Sequence, residues 1–116
     1  MANLDSEVAA RPLMAALDGL AGEAADAAGL LRRLANANRL LLLCHMAEAG
    51  EMNVTDLCRA IGLGQAAVSQ HLAMLREAGI VATRRESQAI YYRLADPKAV
   101  RLLGTLRDLY CPRKDD

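Results

Sequence analysis

The stretch Val54-Thr-Asp-Leu-Cys-Arg-Ala-Ile-Gly-Leu-Gly-Gln-Ala-Ala-Val-Ser-Gln-His-Leu-Ala-Met-Leu-Arg-Glu-Ala-Gly79 decides the fold. In its first half Val54, Leu57, Cys58 and Ile61 recur at three- and four-residue steps. That spacing predicts a short amphipathic helix, with Thr55 as its expected cap. Gly62-Leu63-Gly64 reads as a tight turn. A second helix is expected from Gln65 to Ala78, closed by Gly79, with Val68, Leu72 and Leu75 within one narrow inward arc. Two short helices joined by a glycine-containing turn are the helix-turn-helix signature.

Downstream of Gly79 the period changes. Ile80-Val-Ala-Thr-Arg-Arg-Glu86 and Ala89-Ile-Tyr-Tyr-Arg-Leu94 read as two β-strands joined at Ser87-Gln88. Asp96 then caps a last helix with Pro97 at its first position. Along it Ala99, Leu102, Leu103, Leu106, Leu109 and Tyr110 form an apolar stripe, and Pro112 stops it. Upstream, Asn36 and Asn38 are cap-type residues before a helix that ends at Gly50. On that helix Leu40, Leu43, Cys44 and Ala47 share one face, although it is apolar nearly all round. Gly19, Gly22 and Gly29 predict breaks or fraying before it, with a firmer helix over residues 21–35. The expected layout is a partly disordered arm over 1–20, one domain over 21–111, and a charged tail over 112–116. The fold class is mainly α with a small β-wing: a winged helix-turn-helix.

Composition narrows the function. A chain of 116 residues suffices for one domain, and 53% apolar with 24% charged residues argues against disorder. Net charge is zero, but residues 1–29 carry −4 and residues 30–116 carry +4, which suits a DNA-binder. The longest apolar run, Leu40 to Cys44, is too short to span a membrane, and Asp5 and Glu7 stand where a secretory signal wants positive charge. A cytoplasmic protein is therefore expected, with no membrane partner. Cys44, Cys58 and Cys111 are an odd number at wide spacing, unlike a secreted disulfide framework. No glycine-rich phosphate loop occurs, and Cys44 and His45 fall on different helix faces, so neither a cofactor nor an enzyme is expected.

The helix from Gln65 carries the DNA-reading candidates. Gln70 lies opposite the apolar arc, flanked by Ala66 and Ala73, with Ser69 at the shoulder. Small alanines allow close approach to base edges, and a Gln amide pairs bidentately with adenine. The competing reading is a solvent-facing helix with Ala as filler. His71 sits nearer the apolar arc and suits a phosphate contact or a partly buried position. Arg84 and Arg85 on the ribbon suit phosphate or the minor groove, against the alternative of a charged strand edge.

The sequence strongly resembles the ArsR/SmtB family of winged-helix repressors. The resemblance is carried by Leu34–Leu40, Val54–Gly62, Ala67–Ile80 and Thr83–Leu94. It implies a homodimer joined through the first and last helices, binding of double-stranded operator DNA at an inverted repeat, and release when an inducer arrives. Many members sense metals, but the positions that usually hold a Cys-x-Cys read Asn53-Val54-Thr55, and the last helix has no His. No metal site is therefore expected; the remaining alternative is a metal or metalloid sensor using Cys44, Cys58 and Cys111 as thiolates. The placement of Cys44 and Cys111 is similar to that in the thiol-based subgroup, which responds to sulfane sulfur or oxidants. By that resemblance the two are a redox-sensing pair bridged by a disulfide or polysulfide, with a reactive sulfur species or oxidant as inducer. Read on its own helix, Cys44 also fits a small buried hydrophobe. Arg107, one turn before Cys111, together with Arg113 and Lys114, places positive charge beside it.

Overall fold

The computed structural model describes the backbone of residues 4–111 and the side chains of residues 19–111. Two units make up the chain, Met1–Arg32 and Arg33–Asp116. The first is built on helix α1 (Leu4–Leu34), whose last residues enter the second. The helix is continuous through Gly19, Gly22 and Gly29, so the expected breaks do not occur, and it begins well before residue 21. A single glycine costs about 1 kcal/mol relative to alanine, and the alanine-rich surroundings outweigh three such penalties. The expected tail at 112–116 lies outside the described residues.

The second unit runs α2 (Ala37–Ala49), β1 (Met52–Asn53), α3 (Val54–Ile61), α4 (Gln65–Glu77), β2 (Val81–Glu86), β3 (Ala89–Leu94) and α5 (Pro97–Tyr110). Asn36 caps α2 by accepting the Arg39 N–H at 3.0 Å. The cap of α3 is Asn53, not Thr55: its side-chain oxygen accepts the Asp56 N–H at 2.8 Å. Asn53 prevails because it stands one residue outside the helix with extended backbone, where an oxygen can reach back to N3. Thr55 is already inside the helix. Gly62, at φ 72°, takes the left-handed conformation that ends α3 and turns the chain toward α4. Asp96 caps α5, accepting the Lys98 N–H at 2.9 Å.

The sheet has the order β1-β3-β2, with β2 and β3 antiparallel from Val81 opposite Leu94 to Glu86 opposite Ala89. Strand β1 went unanticipated; two residues are too few to carry a period, and Asn53 serves both the strand and the α3 cap. The hairpin closes in two residues, with Ser87 at φ 60° in a position that favours glycine. The core is aliphatic. Leu42, Leu43 and Met46 of α2 and Leu57, Leu72 and Leu75 of the helix-turn-helix all have no exposed surface. Ile80 links strand to helix, its carbonyl accepting the Ala95 N–H at 2.9 Å.

The cap assignment is testable by denaturant unfolding at fixed protein concentration. Asn53→Ala should cost about 1 kcal/mol, the usual value of a lost N-cap. Thr55→Ala should change stability by well under half of that.

Candidate nucleic-acid interface and thiol pair

Helix α4 is held by one face. Val68, Leu72 and Leu75 are fully buried, so Gln65, Ala66, Ser69, Gln70 and Ala73 stand together on an exposed strip. The strip is uncharged and narrow, the form a helix needs to enter a groove. His71 is half-buried, and desolvation, followed by the nearby Arg39 guanidinium, pushes its pKa below the usual imidazole value. It is therefore neutral near pH 7, which weakens it as a phosphate contact.

The two wing arginines part company. Alternation puts Arg84 opposite Tyr91 on one face of the hairpin and Arg85 opposite Ile90 on the other. Arg84 is occupied: its Nε donates to both carboxylate oxygens of Glu51 at 2.8 and 2.9 Å, and its Nη1 donates to Glu86 at 2.7 Å. Its Cζ also lies 4.7 Å from the centre of the Tyr91 ring. These bonds hold the Glu51 carboxyl below the usual carboxylate range and push the Arg84 guanidinium up. Glu51 precedes β1, so the pair fastens the wing to the short edge strand; no period along the chain links the two. Arg85 is exposed and makes no ion pair among the described residues.

The three cysteines differ in exposure. Cys44 is exposed rather than a buried hydrophobe, because the core face of α2 is Leu42, Leu43 and Met46. Cys111 is exposed at the end of α5, its N–H donating to the Arg107 carbonyl at 2.7 Å. Helices α2 and α5 pack together, and the Cys44 thiol lies within electrostatic reach of both Arg107 and Cys111. Part of the Cys44 side chain is desolvated although the residue as a whole is exposed. That desolvation raises its pKa; Arg107 pulls it back, and Cys111 adds to the rise. Cys58 is half-buried on α3. Among the described residues no three His, Cys, Asp or Glu side chains gather as a metal site. A shallow 270 Å³ depression between α3 and the wing is lined by Asn53, Thr55, Gln88, Ile90 and Tyr92, with no thiol or imidazole.

The α5 stripe divides. Leu103 is 6% exposed and packs within the chain's own core, while Leu102 and Leu106 are half-buried. Leu109 and Tyr110, 67% and 80% exposed, are left uncovered.

A helix-turn-helix followed by a β-hairpin wing defines a winged-helix DNA-binding regulator, and comparison with known proteins agrees. The model for bacterial regulatory proteins of the arsR family matches residues 36–83. The biofilm growth-associated repressor of Xylella fastidiosa is 43% identical over 89 residues, 77% of each chain. The crystal structure of the transcriptional repressor BigR from Xylella fastidiosa superposes with a TM-score of 0.77 at 41% identity, covering 83% of this chain and 97% of that one. Reduced HlyU from Vibrio cholerae gives a TM-score of 0.75 at 38% identity, covering 80% and 97%. The chain belongs to the ArsR family of winged-helix transcriptional regulators and is not an enzyme. Among the described residues no helix is long and apolar enough to cross a membrane.

The raised pKa of Cys44 sets its reactivity. Its alkylation rate by iodoacetamide should still be climbing with pH where that of an ordinary thiol has levelled off. Arg107→Gln should slow alkylation at pH 8, because removing the cation favours the neutral thiol. An equal or faster rate would show that Arg107 does not act on Cys44.

Proposed function

We propose that this regulator is a repressor that holds operator DNA while Cys44 and Cys111 are free thiols and releases it once they are bridged. The observation that carries the reading is the juxtaposition of the two exposed thiols across the packed pair α2 and α5. A bridge needs Cα atoms within about 7 Å, and a polysulfide relaxes that limit. Relatives that are repressors, and one solved in a reduced form, support it.

In this reading the exposed strip of α4 enters the major groove. Gln65, Ala66, Ser69 and Gln70 face the bases, His71 lies at the margin, and Arg85 meets the backbone. A second copy covers Leu109 and Tyr110, with Leu102 and Leu106 at its edge. The dimer then presents two recognition helices to half-sites one DNA turn apart, as an inverted repeat requires. The inducer is a persulfide, polysulfide or oxidant. With a persulfide R–S–SH, one cysteine thiolate attacks the outer sulfur and expels RS⁻. The second thiolate attacks the inner sulfur of the new protein persulfide and expels HS⁻. Two thiols are oxidised and one sulfane sulfur leaves as sulfide. Bridging ties α2 to the end of α5, next to the uncovered Leu109 and Tyr110, so it acts on the dimer contact that sets recognition-helix spacing. An inducer shifts the equilibrium only through such a difference between the two states.

The test is DNA affinity before and after sodium tetrasulfide, on fragments selected by the reduced protein. Treatment should weaken binding at least about tenfold, a 1.4 kcal/mol change. Dithiothreitol should restore it, and Cys44→Ser or Cys111→Ser should abolish the response. Unchanged affinity, whether the thiols stay free or become bridged, contradicts the switch.

A further inference from the structure

We propose that Glu51 is a built-in competitor of DNA: its carboxylate occupies the Arg84 guanidinium as a phosphate would, and operator binding exchanges one for the other. The inference rests on the reading that the wing contacts DNA. Both Glu51 oxygens meet Arg84 Nε, at 2.8 and 2.9 Å, and Glu51 also pairs with Nη2. Glu86 takes Nη1 at 2.7 Å. All three guanidinium nitrogens are thus satisfied by carboxylates in the free chain, and the Tyr91 ring fixes the plane of the group. The fork that binds carboxylate bidentately is the same fork that binds phosphate.

The arrangement is poised rather than locked. Side-chain exposure is 44% for Arg84, 32% for Glu51 and 67% for Glu86, so water and a phosphate can reach the group. Exposed ion pairs of this kind are weak and screened by salt, so exchange is inexpensive. Its consequence is a wing with low net positive charge in free protein. Binding to arbitrary DNA is held down, because such binding depends almost wholly on backbone phosphates. A correctly placed recognition helix supplies the remaining affinity that opens the pair.

The experiment is a double-mutant cycle on operator affinity over a range of salt, using the full chain, with folding checked by circular dichroism. Glu51→Gln should tighten binding about five-fold. It should also steepen the dependence of log affinity on log salt by up to about one unit, because no freed carboxylate then takes up a cation while the phosphate releases its own. In an Arg84→Gln background, Glu51→Gln should have no effect. A gain that survives in that background reduces Glu51 to general charge repulsion and overturns the exchange. Unchanged or weaker binding by Glu51→Gln makes the pair a simple strut and overturns it as well. If Arg84→Gln and Arg85→Ala both leave binding at wild-type strength, the wing reading itself fails.

Discussion

The rotation of α2 about its own axis governs the rest of the molecule. Leu42, Leu43 and Met46 are fully buried against the helix-turn-helix, and their combined burial is worth several kcal/mol. With those three side chains fixed inward, Cys44 stands on the outside, within electrostatic reach of Arg107 and Cys111. A turn of 100° either way would bury the thiol or aim it away from Cys111. The chemistry of the pair is therefore set by packing elsewhere. A conserved rotamer or special loop is not needed. Because cores resist continuous deformation, the bridge proposed between α2 and α5 would be felt as a change in how the two helices pack.

Charge is managed locally as well. The chain is neutral overall, and its wing carries adjacent arginines of which one is held by Glu51 and Glu86 and the other is not. The exposed strip of α4 is uncharged from Gln65 to Ala73 and meets charge only at its end, at Arg76 and Glu77. On the proposed reading, affinity for the DNA backbone is restrained in the free protein, while the surface offered to the bases is left unobstructed. Such a division favours discrimination over raw affinity, since phosphate contacts position a protein and base contacts specify the site.

Much of this was legible in the sequence, for identifiable reasons. Asn36, Gly50, Gly62, Gly79 and Asp96 punctuate the chain with residues whose conformational preferences are strong, and the helices of the second unit begin or end at them. The switch from a helical to a strand period after Gly79 located the wing. Legibility failed where the signal was flat. Leu40–Cys44 is apolar throughout, so no stripe marks the buried side of α2, and the pattern leaves Cys44 open to an inward or an outward position. Glycines in an alanine-rich helix read as breaks although the context compensates for them. The two-residue strand β1, paired with β3, and the Glu51–Arg84 pair, 33 positions apart, depend on contacts between distant segments, which no local pattern encodes. In α5 the stripe was visible, but its division between the core (Leu103) and the exposed end (Leu109, Tyr110) is a tertiary property.

Peptide mapping by mass spectrometry after tetrasulfide treatment reads the central juxtaposition most directly. Digestion without reduction should yield one species joining the peptides that contain Cys44 and Cys111, with both from a single polypeptide and a mass set by two or more linking sulfurs. Recovery of these peptides only as separate persulfidated or unmodified species, or linked solely between subunits, would contradict it.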